Sequence, residues 1–101
     1  MLIGNEKLNT EIVKKELYPI FKKYGIKTAI LFGSVAKNNN SIDSDVDILV
    51  DSGLHGLKFF GLLEDIVNTI NKQIDLIDVS QIKKGSKIEK EIENTGVLIY
   101  E

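Results

Sequence analysis

The sequence contains no cysteine, no arginine and no tryptophan, and only one proline and one histidine in 101 residues. Without cysteine, the chain forms neither a disulfide nor a thiolate zinc site. Because all 13 basic residues are lysine, no guanidinium group is present to grip a phosphate or carboxylate with two parallel hydrogen bonds. Any contact of this chain with phosphate must therefore come from backbone N–H groups, lysine or a metal ion.

Strong net charge and long apolar runs are also missing. The formal net charge is -2, so no positive field attracts nucleic acid, and we expect no direct binding to it. No apolar run is long enough to cross a bilayer. The polar residues Asn5, Glu6 and Lys7 follow the start at once, which argues against a signal peptide. We expect one cytoplasmic domain over residues 1–101, without membrane contact.

Apolar periodicity divides the chain into alternating helices and strands. Helical spacing predicts a helix over Thr10–Tyr24, which Pro19 should kink or divide. The later pattern predicts strands at Ile26–Phe32, Asp45–Asp51 and Ile74–Val79, and helices at Ser34–Lys37, Leu57–Asn71 and Ser86–Asn94. Gly96 precedes a terminal apolar stretch, Val97–Tyr100. This order predicts a layered α/β (α+β) domain, a small sheet with helices packed on it.

Two aspartates lie two residues apart on the second predicted strand. Asp45 and Asp47 therefore project from the same face, where like charges are unfavourable unless solvent, a cation or a shifted pKa relieves them. Mg²⁺ commonly combines one or two carboxylates with substrate phosphates. Asp75, at the start of the third strand, could complete an acidic triad. Taken alone, an Asp-x-Asp pair is more often a solvated strand end, so this motif needs support from elsewhere.

Gly33 and Ser34 lie between the first strand and a helical turn. Backbone N–H groups at such a turn bind anions, Gly33 allows close approach to the backbone, and the Ser34 hydroxyl adds a donor. The alternative is an ordinary strand-to-helix turn with serine as the N-cap.

Strand directions connect these two motifs. Ser34 meets Asp45 only if the first two strands are antiparallel. Asp75 meets Asp45 only if the third strand runs parallel to the second, with the helix Leu57–Asn71 as a right-handed crossover. We therefore expect a mixed sheet with the site at one end.

The combined pattern resembles the DNA polymerase β-like nucleotidyltransferase superfamily, and within it the minimal nucleotidyltransferase (MNT) group. The resemblance covers nearly the whole chain. Its motifs are Leu31-Phe32-Gly33-Ser34, Ser44-Asp45-Val46-Asp47, Ile74-Asp75-Leu76-Ile77-Asp78 and Gly96-Val97-Leu98-Ile99-Tyr100-Glu101. Members often carry Arg-Gly where this chain has Lys37-Asn38. Lysine keeps the positive charge of arginine but lacks the guanidinium geometry.

The resemblance implies a site and a function. Gly33, Ser34 and Lys37 would bind the triphosphate of ATP, Asp45 and Asp47 would bind Mg²⁺, and Asp75 would be the third metal-binding and catalytic carboxylate. It also implies pairing with a HEPN-domain toxin, to which such an antitoxin transfers AMP at a hydroxyl group, most plausibly that of a tyrosine. The alternative is an antitoxin that neutralises the toxin by binding alone.

Other polar residues are expected to be structural. His55 is expected in a surface loop, since one histidine makes no metal site. A solvated helix face is expected for Lys83, Lys84, Lys87 and Lys90, and surface positions near strand ends for Asp43, Asp51 and Asp78. Tyr100 belongs either to a partner interface or to the edge of the core.

Overall fold

A computed structural model of the chain describes residues 7–38 and 44–101. Asp43 lies outside these residues. The described residues form four helices and four strands that alternate along the chain, and a short 3-10 turn, Val79–Gln81, follows the third strand. They are α1 (Thr10–Tyr24), β1 (Thr28–Phe32), α2 (Gly33–Ala36), β2 (Val46–Asp51), α3 (Leu57–Ile70), β3 (Ile74–Asp78), α4 (Lys87–Thr95) and β4 (Val97–Tyr100).

The strands form one mixed sheet in the order β3-β2-β1-β4. β1 is antiparallel to β2 and to β4, and β2 is parallel to β3, with α3 as the connection between the parallel pair. The strand directions predicted from the sequence are therefore confirmed, as is the mixed sheet with packed helices.

The core lies between one face of the sheet and the helices α1 and α3. Alternate residues of each strand point towards it, because successive side chains of a strand project to opposite faces. The core residues include Ala29 and Leu31 from β1, Val46, Ile48 and Val50 from β2, Val13, Leu17 and Phe21 from α1, and Leu62, Ile66 and Ile70 from α3.

The opposite face of the sheet carries Asp47, one of the predicted site residues. Asp47 and Leu49 of β2 point to this face, and their partners across the sheet are Phe32 and Ile30 of β1. α4 approaches the same face, since a β-carbon on Gly96, at the end of α4, would lie 3.0 Å from the Ile30 Cγ2 atom. Near the end of the sheet, Asp47 of β2 is half-buried and Asp75 of β3 is exposed.

The sequence offers Asn9 or Thr10 as the N-cap of α1 and Gly25 as its end, and the structure has Asn9 and Gly25 in these positions. The Asn9 side chain accepts a hydrogen bond of 2.9 Å from the Ile12 N–H, and Gly25 ends the helix in the left-handed conformation with φ 67°. Pro19 lies inside the helix and does not divide it, contrary to one of the two predicted outcomes. Pro19 and Lys15 are both exposed, so water can solvate the Lys15 carbonyl that the proline leaves without an N–H partner.

The terminal apolar stretch forms the edge strand β4. The sequence alone did not predict a strand for these four residues. It pairs with β1 across an irregularity in register between Ala29 and Ile30. Tyr100 packs on Phe21 with ring centroids 5.4 Å apart, so it covers the edge of the core. Among the described residues, no helix has the length and apolar character needed to span a membrane.

Candidate active site

Asp47 and Asp75 are directly opposite each other on the parallel strands β2 and β3. Phe32, the last residue of β1, is the partner of Asp47 on its other side. Asp47 is half-buried and Asp75 is exposed at the open edge of the sheet. The site therefore lies where β1 ends and β2 and β3 begin, as the sequence predicts.

Asp45 is more peripheral than the sequence predicts. It precedes β2 rather than belonging to it, and its side chain is exposed. Its negative charge nevertheless contributes to the raised pKa of Asp47. The three predicted aspartates are thus brought to one end of the sheet, with Asp47 and Asp75 as the close pair.

Gly33 lies directly above the Asp47 carboxylate. Its φ of 76° is left-handed, and a β-carbon at this position would overlap the Asp47 Oδ2 atom. A side chain would therefore be both strained and obstructed. The Gly-Ser turn and the carboxylate pair, recognised as separate motifs in the sequence, form one site.

The N–H group of Gly33 is held by the end of α4. It donates a hydrogen bond of 3.0 Å to the Thr95 hydroxyl, which itself donates to the Glu91 carbonyl at 2.7 Å. Ser34 follows Gly33 in α2 and is half-buried, whereas Lys37, the C-cap of α2, is exposed. Ser34 is not the N-cap, because Phe32 occupies that position.

Glu91 is a fourth carboxylate of the site and was not predicted from the sequence. Its Oε1 atom is 3.5 Å from the position that a β-carbon on Gly33 would take, and its charge contributes to the raised pKa of Asp47. The lysines around it in α4 are exposed, as expected. In the sequence Glu91 is one acidic residue on a highly charged helix, so only the docking of α4 distinguishes it from its neighbours.

The electrostatic environment raises the pKa of Asp47 to about 6. The largest cause is burial, followed by a hydrogen bond with Asp75 and by the negative charges of Asp75, Glu91 and Asp45. Each of these effects disfavours the ionised form. A cation between Asp47 and Asp75 would offset the repulsion between these two carboxylates.

The Asp47–Asp75 pair fits a hard divalent cation, since carboxylate oxygens are the ligands such a cation prefers. Across residues 7–38 and 44–101, no group of three or more His, Cys, Asp or Glu side chains is arranged to hold a metal ion. Mg²⁺ is usually held by one or two carboxylates together with substrate phosphates and water. Two carboxylates are therefore an adequate protein contribution to such a site.

A cavity of about 450 Å³ adjoins the two aspartates. Its acidic lining consists of Asp47, Asp75 and Glu91, and its apolar lining is contributed mainly by β3, α3 and α4. The apolar residues are Phe32, Leu63, Ile74, Leu76, Ile77 and Ile88. The cavity thus combines apolar walls with carboxylates at one side.

The predicted surface position of Asp78 is wrong. Asp78 is 7% exposed, and its carboxylate accepts hydrogen bonds of 2.6 Å from the hydroxyls of Ser52 and Ser80. Burial alone raises the pKa of Asp78, but the hydrogen bonds from Ser52 and Ser80 outweigh it and lower the pKa to about 2. Asp51 is half-buried at the strand end, and His55 is exposed as predicted.

Comparison with known proteins identifies relatives of this chain. The family described as polymerase beta nucleotidyltransferase matches residues 15–101. A Methanocaldococcus jannaschii protein that carries the name protein adenylyltransferase is 35% identical over 92 residues, covering 89% of this chain and 91% of its own. The protein adenylyltransferase MntA of Thermococcus cleftensis is 37% identical over 76 residues, covering 71% of this chain and 72% of its own.

Solved structures show the same fold. A toxin–antitoxin crystal structure with AMP-PNP superimposes with a TM-score of 0.73 at 16% identity, covering 86% of this chain and 72% of the other. A complex of tri-AMPylated Shewanella oneidensis HEPN toxin with MNT antitoxin gives a TM-score of 0.68 at 15% identity, covering 90% and 71%. From the family match over residues 15–101 and these relatives, the chain belongs to the polymerase beta nucleotidyltransferase family.

Proposed function

We propose that this protein is the antitoxin of a HEPN/MNT toxin–antitoxin pair, and that it transfers AMP from ATP to a tyrosine hydroxyl of its partner toxin with Mg²⁺ as cofactor. The observation that carries the proposal is the Asp47–Asp75 pair beside Gly33. Relatives with the name protein adenylyltransferase, and neighbours that are toxin–antitoxin complexes, support the choice of reaction and partner.

The nucleotide would lie at the junction of the Gly33–Ser34 turn and the carboxylates. Bound Mg²⁺ would neutralise phosphate charge and hold the triphosphate in position. Asp47 and Asp75 would be the principal protein ligands of Mg²⁺, and Asp45 would be a more peripheral ligand. The Ser34 hydroxyl would donate to a phosphate oxygen, and the exposed Lys37 would add a positive charge at the end of the same turn.

Asp75 would act on the acceptor. The acceptor hydroxyl oxygen attacks the α-phosphorus of ATP, and the bond from that phosphorus to the α–β bridging oxygen breaks. The hydroxyl proton passes to the Asp75 carboxylate, AMP becomes a phosphodiester on the acceptor, and pyrophosphate leaves. Because Asp75 is exposed at the sheet edge, a hydroxyl carried by another protein can reach it.

The cavity next to Asp75 suits an aromatic acceptor. Leu63, Leu76 and Ile88 supply apolar walls, and Asp75 supplies a hydrogen-bond acceptor at the same cavity. A phenol has the matching character, an apolar ring with one polar end. The acidic lining and the net charge of -2 oppose a nucleic acid acceptor, which would bring further phosphate charge to the site.

The test is to incubate the purified partner toxin with this protein, Mg²⁺ and each of the four nucleoside triphosphates in turn. Mass spectrometry of the toxin should show an added AMP on a tyrosine with ATP. Asp75→Asn should abolish the adduct but leave the complex of the two proteins intact. Asp51→Asn, the same chemical change at the opposite end of β2, should leave the adduct unchanged.

Two results would contradict the proposal. Tight neutralisation of the toxin without any nucleotide adduct would identify an antitoxin that acts by binding alone. An adduct that persists in Asp75→Asn would remove Asp75 from its proposed role.

A further inference from the structure

Glu91 and Asp47 converge on the same surface of Gly33. The Asp47 Oδ2 atom occupies the place of the missing β-carbon, and the Glu91 Oε1 atom is 3.5 Å from that place. Asp47 belongs to β2, whereas Glu91 belongs to α4. A group that lies against the Gly33 backbone therefore contacts two carboxylates from different parts of the fold.

The end of α4 that carries Glu91 is fixed against the Gly-Ser turn. Thr95 accepts the Gly33 N–H at 3.0 Å, and the Gly96 N–H donates to the Ile92 carbonyl at 2.7 Å. A β-carbon on Gly96 would overlap that carbonyl oxygen and press on Ile30, so this glycine permits the helix end to lie close to β1. The helix backbone that carries Glu91 is thus held near Gly33 by contacts of Thr95 and Gly96, on the C-terminal side of Glu91.

The position of Glu91 has an electrostatic consequence for a triphosphate. A metal-free triphosphate at Gly33 would bring several negative charges next to Glu91, Asp47 and Asp75, with like-charge repulsion from each. Asp47 and Asp75 are the pair suited to hold the cation, and that cation would offset their charge. Across the described residues Glu91 is not arranged with this pair to hold a metal ion, so its repulsion acts on the phosphates when the cation is missing.

We propose that Glu91 excludes metal-free nucleotide from the Gly33–Ser34 turn and so makes triphosphate binding depend on a divalent cation. This inference rests on the proposed function, since it assumes that the turn receives a triphosphate with Mg²⁺. It assigns Glu91 a selective role: the side chain discriminates between two forms of the nucleotide rather than taking part in the transfer. Thr95 is the positioning residue that holds the helix carrying it.

The experiment measures the affinity of the full chain for a fluorescent, non-hydrolysable ATP analogue, once with saturating Mg²⁺ and once with EDTA. Three proteins are compared: the parent, Glu91→Gln and Glu93→Gln. The last makes the same change in charge on the same helix, at an exposed position two residues away. Circular dichroism checks that all three have the same helical content and melting temperature.

We expect Glu91→Gln to bind the metal-free analogue roughly two- to fivefold more tightly than the parent, the change that one exposed charge pair produces. Its affinity with Mg²⁺ should change less, so the ratio of the two affinities falls, while Glu93→Gln keeps the parent ratio. If Glu91→Gln keeps the parent ratio, or if both of its affinities fall equally, the inference about Glu91 is wrong but the proposed function is unaffected. Failure of the parent to bind with Mg²⁺ would overturn the proposed function as well.

Discussion

Asp47 and Asp75 face each other across the parallel ladder between β2 and β3, and the hydrogen bond with Asp75 is one of the causes that raise the pKa of Asp47 to about 6. The two carboxylates are held together by the strand register, which the packed core on the other face of the sheet maintains. Such a pair lowers the stability of the metal-free protein. A bound cation would relieve the same repulsion. The residues that favour metal binding therefore lower the stability of the metal-free protein.

Asp47→Asn should stabilise the metal-free protein at neutral pH. The pKa of Asp47 rises from 3.8 to about 6 on folding, so between these values the folded state holds more protons than the unfolded state. Stability therefore falls as pH rises through this window, and the loss is complete above about pH 6. Because Asp47 is only half-buried, we expect a gain of about 1 kcal/mol in the variant, after allowance for solvent screening.

Urea denaturation of the metal-free protein at intervals from pH 4 to pH 8 measures this effect. The difference between Asp47→Asn and the parent should shrink towards pH 4. The same Asp47→Asn variant should lose Mg²⁺-dependent ATP binding in calorimetry. Undiminished binding in both Asp45→Asn and Asp47→Asn would refute their assignment as metal ligands.

Gly33→Ala should lower the free energy of unfolding by more than the left-handed backbone alone explains. A non-glycine residue in that conformation costs about 1–2 kcal/mol, and at Gly33 the new β-carbon also meets the Asp47 carboxylate. Gly53→Ala is the matched control, since Gly53 has φ 66° with no atom within 4 Å of a β-carbon. If denaturation shows that the two variants lose equal amounts of stability, the close approach of Gly33 and Asp47 does not contribute to the stability change.

Ser34→Ala should weaken binding of Mg²⁺-ATP by about 0.5–1.5 kcal/mol, the usual contribution of one hydrogen bond, and by more if phosphate charge strengthens it. Ser80→Ala removes a hydroxyl from the Asp78 cluster and should leave nucleotide affinity unchanged. Calorimetry distinguishes the two serines. Parent-like binding by Ser34→Ala would reduce the Gly-Ser turn to a structural connection.

Asp78→Asn should destabilise the fold without affecting nucleotide binding. The carboxylate accepts hydrogen bonds from the backbone N–H groups and hydroxyls of Ser52 and Ser80, and loss of its charge should cost about 2 kcal/mol at neutral pH. Because the folded pKa is lowered to about 2, the parent loses this stability as pH falls from about 4 towards 2. Equal stability of variant and parent at pH 7 would contradict the role of this cluster.

The sequence by itself determined the elements whose signals are local. Asn9 or Thr10 at the start and Gly25 at the end are predicted to delimit α1, because capping and left-handed backbone depend on neighbouring residues alone. The alternation around Asp47 assigns that carboxylate to the face opposite Val46 and Ile48, because a strand has a period of two. The two strand directions followed from requiring Ser34, Asp45 and Asp75 to meet, and the structure confirms them.

Only the tertiary structure decided which further residues belong to the site and which do not. The segment Val97–Tyr100 is too short to be predicted as a strand from its sequence. It becomes β4 because it lies beside an unpaired edge of β1. Asp78 resembles a surface carboxylate in sequence, yet the hydrogen bonds from Ser52, 26 positions away, allow it to be buried. Glu91 differs from Glu93 only through the docking of α4 at Gly33. Such contacts join distant parts of the chain, and their energies depend on distance in space, which local periodicity does not encode.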